Sequence, residues 1–322
     1  MRAVYAESIN PDDPLSGLVV GERPEPEVPE GWVRVAVRAA ALNHHDLWSL
    51  KGVGLGEDKL PMILGCDAAG LDEDGREVVV HSVISSPGFT GDETTDPRRS
   101  LLSEKHQGTF ADTVVVPARN VVPKPAGLTM EEAACLPTAW LTAYRMLFVR
   151  GGVRPGETVL VQGVGGGVAT ALITLARAAG VRVLATSRSE DKKARALELG
   201  AHAVLDVGER LPEKVDAVME TVGRATWDHS IRSLRPGGRI VICGHTSGPQ
   251  PDDAHLTRIF FLQLSVIGST MGSRDELGDL VRLLESSGAR PLIDRTLPLE
   301  QAPDGFAAMD SGDLVGKVVF TL

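Results

Sequence analysis

Cysteine is scarce in this chain: Cys66, Cys135 and Cys243 are the only three in 322 residues, an odd, widely spaced set with no CxxC pair. That excludes a disulfide-built secreted scaffold and reads as three reduced thiols. Long apolar runs are also missing. No uninterrupted stretch approaches the ~18 residues of a membrane span, and the opening MRAVYAESINPDD lacks an apolar signal core. Positive charge is in deficit, with 33 Lys and Arg against 43 Asp and Glu and a formal net charge of -10. Neither nucleic acid nor an anionic membrane suits such a surface as main partner. The absences together describe a cytoplasmic protein that binds small molecules, in which a local positive site can still hold a phosphate.

Glycine, by contrast, is plentiful at 35 residues, and marks many tight turns. The first ~120 residues carry short alternating segments, WVRVAVRA from Trp32, REVVVHSV from Arg76 and FADTVVVPA from Phe110, which read as an antiparallel, barrel-like β domain. Between the last two, SSPGFTGDETTDPRRSLLSEKHQG is polar and too long for a turn, and is expected to form a surface lobe. From Thr129 the pattern becomes helical, and then VLVQG, VRVLATS, HAVLDV, VDAVMET, GRIVICG and LSVIGS follow one another, several with helical sequence between them. Apolar strands alternating with helices imply a parallel sheet covered on both faces. One helix is punctuated fully: Ser189 caps it, Glu190 and Asp191 suit its positive end, and Gly200 can end it in the left-handed conformation. The tail again resembles the opening region. The chain therefore divides into a mostly β domain of residues 1–122 and 271–322 and a parallel-sheet domain of residues 123–270.

VLVQGVGGGVATALITLARAAG joins a buried strand to an apolar helix through Gly163, Val164, Gly165, Gly166, Gly167 and Val168. A glycine pattern alone is weak evidence, but one that follows a strand, opens a helix and precedes another strand is the mark of a Rossmann-type dinucleotide fold. Glycines let the backbone approach a pyrophosphate whose charge faces the helix amides; a tight turn without ligand is the alternative. About 20 residues on, where an NAD site places an acid, the sequence reads VLATSRSEDKK. A carboxylate would repel a 2′-phosphate, whereas Arg188 can pair with it, helped by the Ser187 hydroxyl and by Lys192 or Lys193. NADP(H) is the expected cofactor, with a merely solvated Arg188 as the alternative.

Taken whole, the chain resembles the medium-chain dehydrogenase/reductase superfamily, and QGVGGGVAT resembles the long glycine turn of its quinone oxidoreductase branch. The resemblance implies a GroES-like catalytic domain beside the Rossmann domain, with the substrate between them, and a homodimer formed near LSVIGS. NHHDLWSLKG and LGCDAAG are similar to the segments that carry two of three catalytic zinc ligands in the alcohol dehydrogenase branch. By that pattern the ligand positions fall on Asn43, Cys66 and Thr138, where zinc-binding members have cysteine, histidine and cysteine. Zinc wants thiolate, imidazole or carboxylate, usually three of them at a catalytic site. Even with Asp67 adding an oxygen, the set falls short, so no zinc is expected. No activating base for Cys66 can be assigned, which leaves it as pocket lining rather than a nucleophile.

The resemblance further implies that backbone around Gly244, His245, Gly268 and Ser269 holds the nicotinamide end, that His44 contacts the pyrophosphate, and that Lys317 lies near the far end of the cofactor site. His45 matches a relay position and is expected to orient substrate or relay a proton, against the alternative of a structural histidine. Asn43, Thr138, Cys66, Asp67 and Trp48 are expected to line the substrate pocket. Some zinc-free relatives carry a tyrosine where this chain has Trp48, whose indole cannot act as an ordinary acid. The expected activity is NADPH-dependent reduction of quinones or α,β-unsaturated carbonyl compounds. An alcohol or aldehyde dehydrogenase and a non-catalytic NADPH-binding sensor are the alternatives.

Overall fold

A computed structural model describes residues 1–322. Two compact units emerge, one of residues 1–139 and 272–322, the other of residues 140–271. The first unit extends past the expected limit at residue 122 because the helix Met130–Ala134 packs on the strands Trp32–Ala41 and Asp67–Leu71. That helix begins where the sequence says it should: the Thr129 side chain accepts from Glu132 N, and the Glu132 carboxylate accepts from Thr129 N.

In the first unit the alternating segments form a seven-stranded sheet in the order Val121–Pro123, Glu77–Val80, Asp67–Leu71, Trp32–Ala41, Lys317–Thr321, Ile293–Pro298, with Thr113–Pro117 paired to the first half of Trp32–Ala41. All pairs are antiparallel except Ile293–Pro298 with Lys317–Thr321. The returning tail thus adds strands to the barrel that the N-terminal residues begin. Its anchor is aromatic: Phe320 meets Phe110 edge to face at a centroid distance of 5.1 Å, and Phe306 meets Phe110 at 6.1 Å. Such pairs contribute about 0.5–1.5 kcal/mol each beyond their burial.

The lobe expected at the surface is only partly there. Glu93, Asp96, Leu102 and Ser103 are buried. Asp96 Oδ2 accepts from both the N–H and the hydroxyl of Ser86, and Glu93 Oε1 accepts from Arg274 N at the start of the helix Arg274–Ser287. Polar composition signalled solvent; these carboxylates instead satisfy backbone donors that would otherwise be buried without partners.

The second unit is a six-stranded, wholly parallel sheet in the order Ala203–Leu205, Arg182–Thr186, Thr158–Val161, Val215–Glu220, Leu234–Ile242, Ser265–Gly268. Thr158–Val161 is buried throughout, as a strand covered on both faces requires. Chain order reverses at this strand, the topological switch point at which such sheets bind nucleotides. Ser189 caps the helix Glu190–Glu198 by accepting from Lys192 N, and Gly200 follows with φ +105. No helix is long and apolar enough to cross a membrane.

Candidate functional site

Three neighbouring strands of the barrel end together. Ala41 pairs with Asp67 on one side and with Val319 on the other, which brings the chain just beyond Ala41, the start of Asp67–Leu71 and the start of Lys317–Thr321 to one place. Asn43 Nδ2 donates to Asp67 Oδ2 at 2.9 Å. Lys317 Nζ donates to Asn43 Oδ1 at 2.6 Å and to Leu42 O at 2.7 Å, and lies 3.4 Å from Asp67 Oδ2. Burial pushes the Asp67 carboxyl above its ordinary value, against the opposing pull of Lys317, Thr138 and Asn43. Lys317, expected near the far end of the cofactor site, is 3% exposed and holds its ammonium within this cluster.

Next to it lies a second group. Asn43 N donates to Asp46 Oδ2 and opens the helix His44–Leu50, while Asp46 Oδ1 accepts from Gly65 N. Gly65 has φ +98, and a Cβ there would stand 2.5 Å from Thr109 Oγ1, so the residue before Cys66 must be glycine. This clamp between helix and loop sets Cys66 Sγ 3.2 Å from His45 Nδ1. The other ring nitrogen, His45 Nε2, is 3.1 Å from Glu104 Oε1. Burial pulls the His45 pKa down, but the Cys66 charge and hydrogen bonds to Asp46, Cys66 and Glu104 outweigh it and hold the imidazole well above its ordinary value. Burial pushes the Cys66 thiol up and His45 draws it back. Cys135 and Cys243 have no such partner, and burial pushes both up to about 12.

The partner for Cys66 that the sequence alone does not assign is thus His45. A thiol, an imidazole and a carboxylate stand in series, the arrangement in which a third group orients the base of a thiol. Glu104 escaped sequence reasoning because its lobe has no periodic pattern to place it. Trp48 is half-buried with its ring 6.3 Å from that of His44, which is itself exposed at the helix start.

The donors at the three zinc positions do not fit that metal. Asn43 offers an amide oxygen already taken by an ammonium, Thr138 a neutral hydroxyl, and Cys66 alone a soft ligand. His45, Asp46 and Cys66 do present ligand atoms within 4.8 Å of one another. Each oxygen of Asp46 also accepts one backbone N–H, from Asn43 and from Gly65.

In the parallel-sheet unit, Gly163 follows the strand Thr158–Val161 with φ +72 and Gly165 has φ +144. Thr186 fixes the turn: its hydroxyl accepts from Gly163 N at 3.2 Å and its carbonyl from Val164 N at 2.9 Å. The helix Gly167–Ala178 then starts with Gly166 exposed, Val168 half-buried and no side chain capping its first amides, while Ala169 packs inward at 3% exposure. At the end of Arg182–Thr186, Ser187 is buried and its hydroxyl accepts from Ser189 N at 3.2 Å; Arg188 is exposed. Lys192 is half-buried on the following helix. Lys193 is already committed, at 2.7 Å from Glu190 and 2.6 Å from Asp206. Gly244 and exposed His245 follow Leu234–Ile242, and Gly268 and Ser269 close the edge strand, where Ser269 N donates to Ile242 O and Gly268 O accepts from Arg150. All of these lie at the carboxyl ends of the strands, the edge at which such sheets bind ligands.

Residues 29–126 match the alcohol dehydrogenase GroES-like domain and residues 167–286 the zinc-binding dehydrogenase family. Acryloyl-coenzyme A reductase of Sulfurisphaera tokodaii is 31% identical over 326 residues, covering 95% of this chain and 97% of its own. A crystal structure of an NAD-dependent alcohol dehydrogenase superposes with a TM-score of 0.92 at 36% identity over 100% of both chains. A 2-octenoyl-CoA carboxylase reductase, in complex with NADP and 2-octenoyl-CoA, superposes with a TM-score of 0.89 at 25% identity over 99% of this chain and 87% of that one. With a relative this similar along its whole length and both domain families matched, the chain belongs to the medium-chain dehydrogenase/reductase superfamily of oxidoreductases.

Proposed function

We propose that the chain is a cytoplasmic NADPH-dependent reductase of α,β-unsaturated carbonyl compounds or quinones that works without zinc. The observation that carries this reading is the contrast between its two halves. A glycine turn with a basic strand end suits NADPH, whereas the zinc positions hold an amide, a thiol and a hydroxyl with the Lys317 ammonium bonded among them. Relatives that act on acryloyl-CoA and 2-octenoyl-CoA support a conjugated alkene as substrate.

NADPH, when bound, supplies hydride. The chain's own part is to hold and orient it: the turn Gly163–Gly167 and the first amides of the helix for the pyrophosphate, Arg188 with Ser187 and Lys192 for the 2′-phosphate, and the backbone at Gly244, His245, Gly268 and Ser269 for the nicotinamide end. His44 faces outward at its helix start and is available to a phosphate. A conjugated alkene has its own electron sink in the carbonyl, so positioning matters more than strong polarisation of the oxygen. Asn43, Asp67, Thr138 and Trp48 line the substrate side, and His45 manages the proton.

The test is consumption of NADPH, with NADH in parallel, by chelator-treated protein offered matched enones, quinones, aldehydes and alcohols. Turnover of enones or quinones with NADPH preferred is expected. Activity that returns only with zinc, or turnover of alcohols alone, would favour the alcohol dehydrogenase reading that the 36% identical structure supports. Binding of NADPH without consumption by any substrate would make the chain a sensor.

We also propose a homodimer across the edge strand Ser265–Gly268. Leu256, Phe260 and Phe261 are 71%, 69% and 77% exposed beside it, and Val266 on it is 46% exposed. An unpaired strand edge flanked by bare aromatic side chains is what a second copy would cover.

A further inference from the structure

After hydride reaches the β-carbon of an enone, the α-carbon must gain a proton. Trp48 cannot give one, since an indole N–H is not an ordinary acid. The series of Cys66, His45 and Glu104 is built for it. Cys66 is 1% exposed, the His45 side chain 19% and the Glu104 side chain 22%, so the series runs from a sheltered thiol toward water. On a doubly protonated ring, Nδ1–H faces Cys66 Sγ at 3.2 Å and Nε2–H faces Glu104 at 3.1 Å, while Leu102 O lies 3.4 Å from the sulfur. Ser103, whose hydroxyl lies 3.7 Å from the sulfur, is a buried non-glycine residue at φ +63, a costly conformation that turns the chain so that Glu104 meets His45. Asp46 at 3.8 Å from His45 Nδ1 is the other charge on the ring, and Asp67 is the further carboxylate that the thiol feels.

We propose that Cys66 is the acid that protonates the α-carbon, and that His45, positioned by Glu104, stabilises the thiolate it leaves behind. This rests on the enone-reductase reading above. The S–H bond breaks and its proton forms the new C–H bond; the electron pair of the S–H bond stays on sulfur, while the enolate pair becomes the C–H bond as the carbonyl reforms. The imidazolium then passes its Nδ1 proton to sulfur, and the ring takes a proton from water. Cys66 is the catalytic residue in this scheme, and Glu104 is a positioning residue.

Quinones supply the control, because their reduction puts protons on oxygen, which solvent does readily, and needs no acid at carbon. Cys66→Ala is expected to lower enone turnover about 100-fold or more, the usual worth of a general acid, and to lower quinone turnover by a clearly smaller factor that reflects only the altered pocket. In deuterated water the wild type places deuterium on one face of the α-carbon, and Cys66→Ala on both. Glu104→Gln weakens the hold on the imidazolium, so the alkaline limb of enone turnover moves to lower pH, and further than that of quinone turnover. Cys66→Ser, nearly isosteric, should keep one-faced deuteration at a reduced rate and guards against loss of fold in the alanine variant. Equal losses for enone and quinone in Cys66→Ala, or retained one-faced deuteration in it, would overturn the role of Cys66 alone. A wild type that reduces neither substrate would remove the reductase reading and this role with it.

Discussion

On the proposed reading, cofactor choice falls on Arg188, with Ser187 and Lys192 beside it. Arg188 stands exposed at the end of the strand Arg182–Thr186 with no hydrogen bond or ion pair inside the chain, whereas Lys193, which with Lys192 supplies the further charge in VLATSRSEDKK, is held between Glu190 and Asp206. Replacing Arg188 with alanine removes charge-assisted hydrogen bonds to the 2′-phosphate worth about 1.5–3 kcal/mol, which corresponds to a loss of about 10- to 150-fold in kcat/KM for NADPH. NADH has no 2′-phosphate, so its kcat/KM should hold, and stability should stay within about 0.5 kcal/mol because no internal contact is lost. Lys193→Ala should change the NADPH to NADH ratio by less than about threefold, since its charge is already neutralised by two carboxylates. The assay is kcat/KM for both nucleotides against one fixed electron acceptor. An Arg188→Ala protein whose nucleotide ratio stays within about threefold of wild type would refute the argument.

The buried cluster at the strand ends makes a stability prediction: Lys317→Met strands Asp67 without its cation and should cost about 3–5 kcal/mol. The double variant Lys317→Met with Asp67→Leu should recover much of that in urea unfolding, and equal losses in single and double variants would contradict an ionic cluster. Glu157 has burial against it, but hydrogen bonds from Arg239 and from Arg154 N hold its carboxyl below the usual carboxylate range. Its stabilisation is thus complete above the unfolded value of about 4.3 and is lost as pH falls through the lower folded value. The stability gap between wild type and Glu157→Gln should close on acidification, and a gap independent of pH would exclude this source. For the dimer, Phe261→Asp combined with Val266→Asp should yield monomers in sedimentation, and an unchanged oligomer would place the interface elsewhere.

The two halves of the chain were unequally legible, for a physical reason. Nucleotide sites of this kind are made from consecutive residues: Gly163 to Gly167 carry their own backbone requirement, and Arg188 follows at the end of the next strand. Ser189, Glu190 and Gly200 likewise announce a helix by local hydrogen bonds alone. The barrel site is made by register. Lys317 meets Asn43 and Asp67, and Glu104 meets His45, because strands far apart in sequence end at the same edge and a lobe folds back; no period in the sequence encodes those meetings. Read position by position, the sequence therefore puts Lys317 near the far end of the cofactor site, the lobe in solvent and Cys66 in a pocket wall with no assignable base. The shared cause is that a position-by-position comparison registers what a residue has lost, such as the second and third strong ligands of a zinc site. It does not register what neighbours have supplied. At Cys66 those neighbours are an imidazole and, beyond it, a carboxylate, and a thiol so placed has an acid–base chemistry that a thiolate bound to zinc would not have.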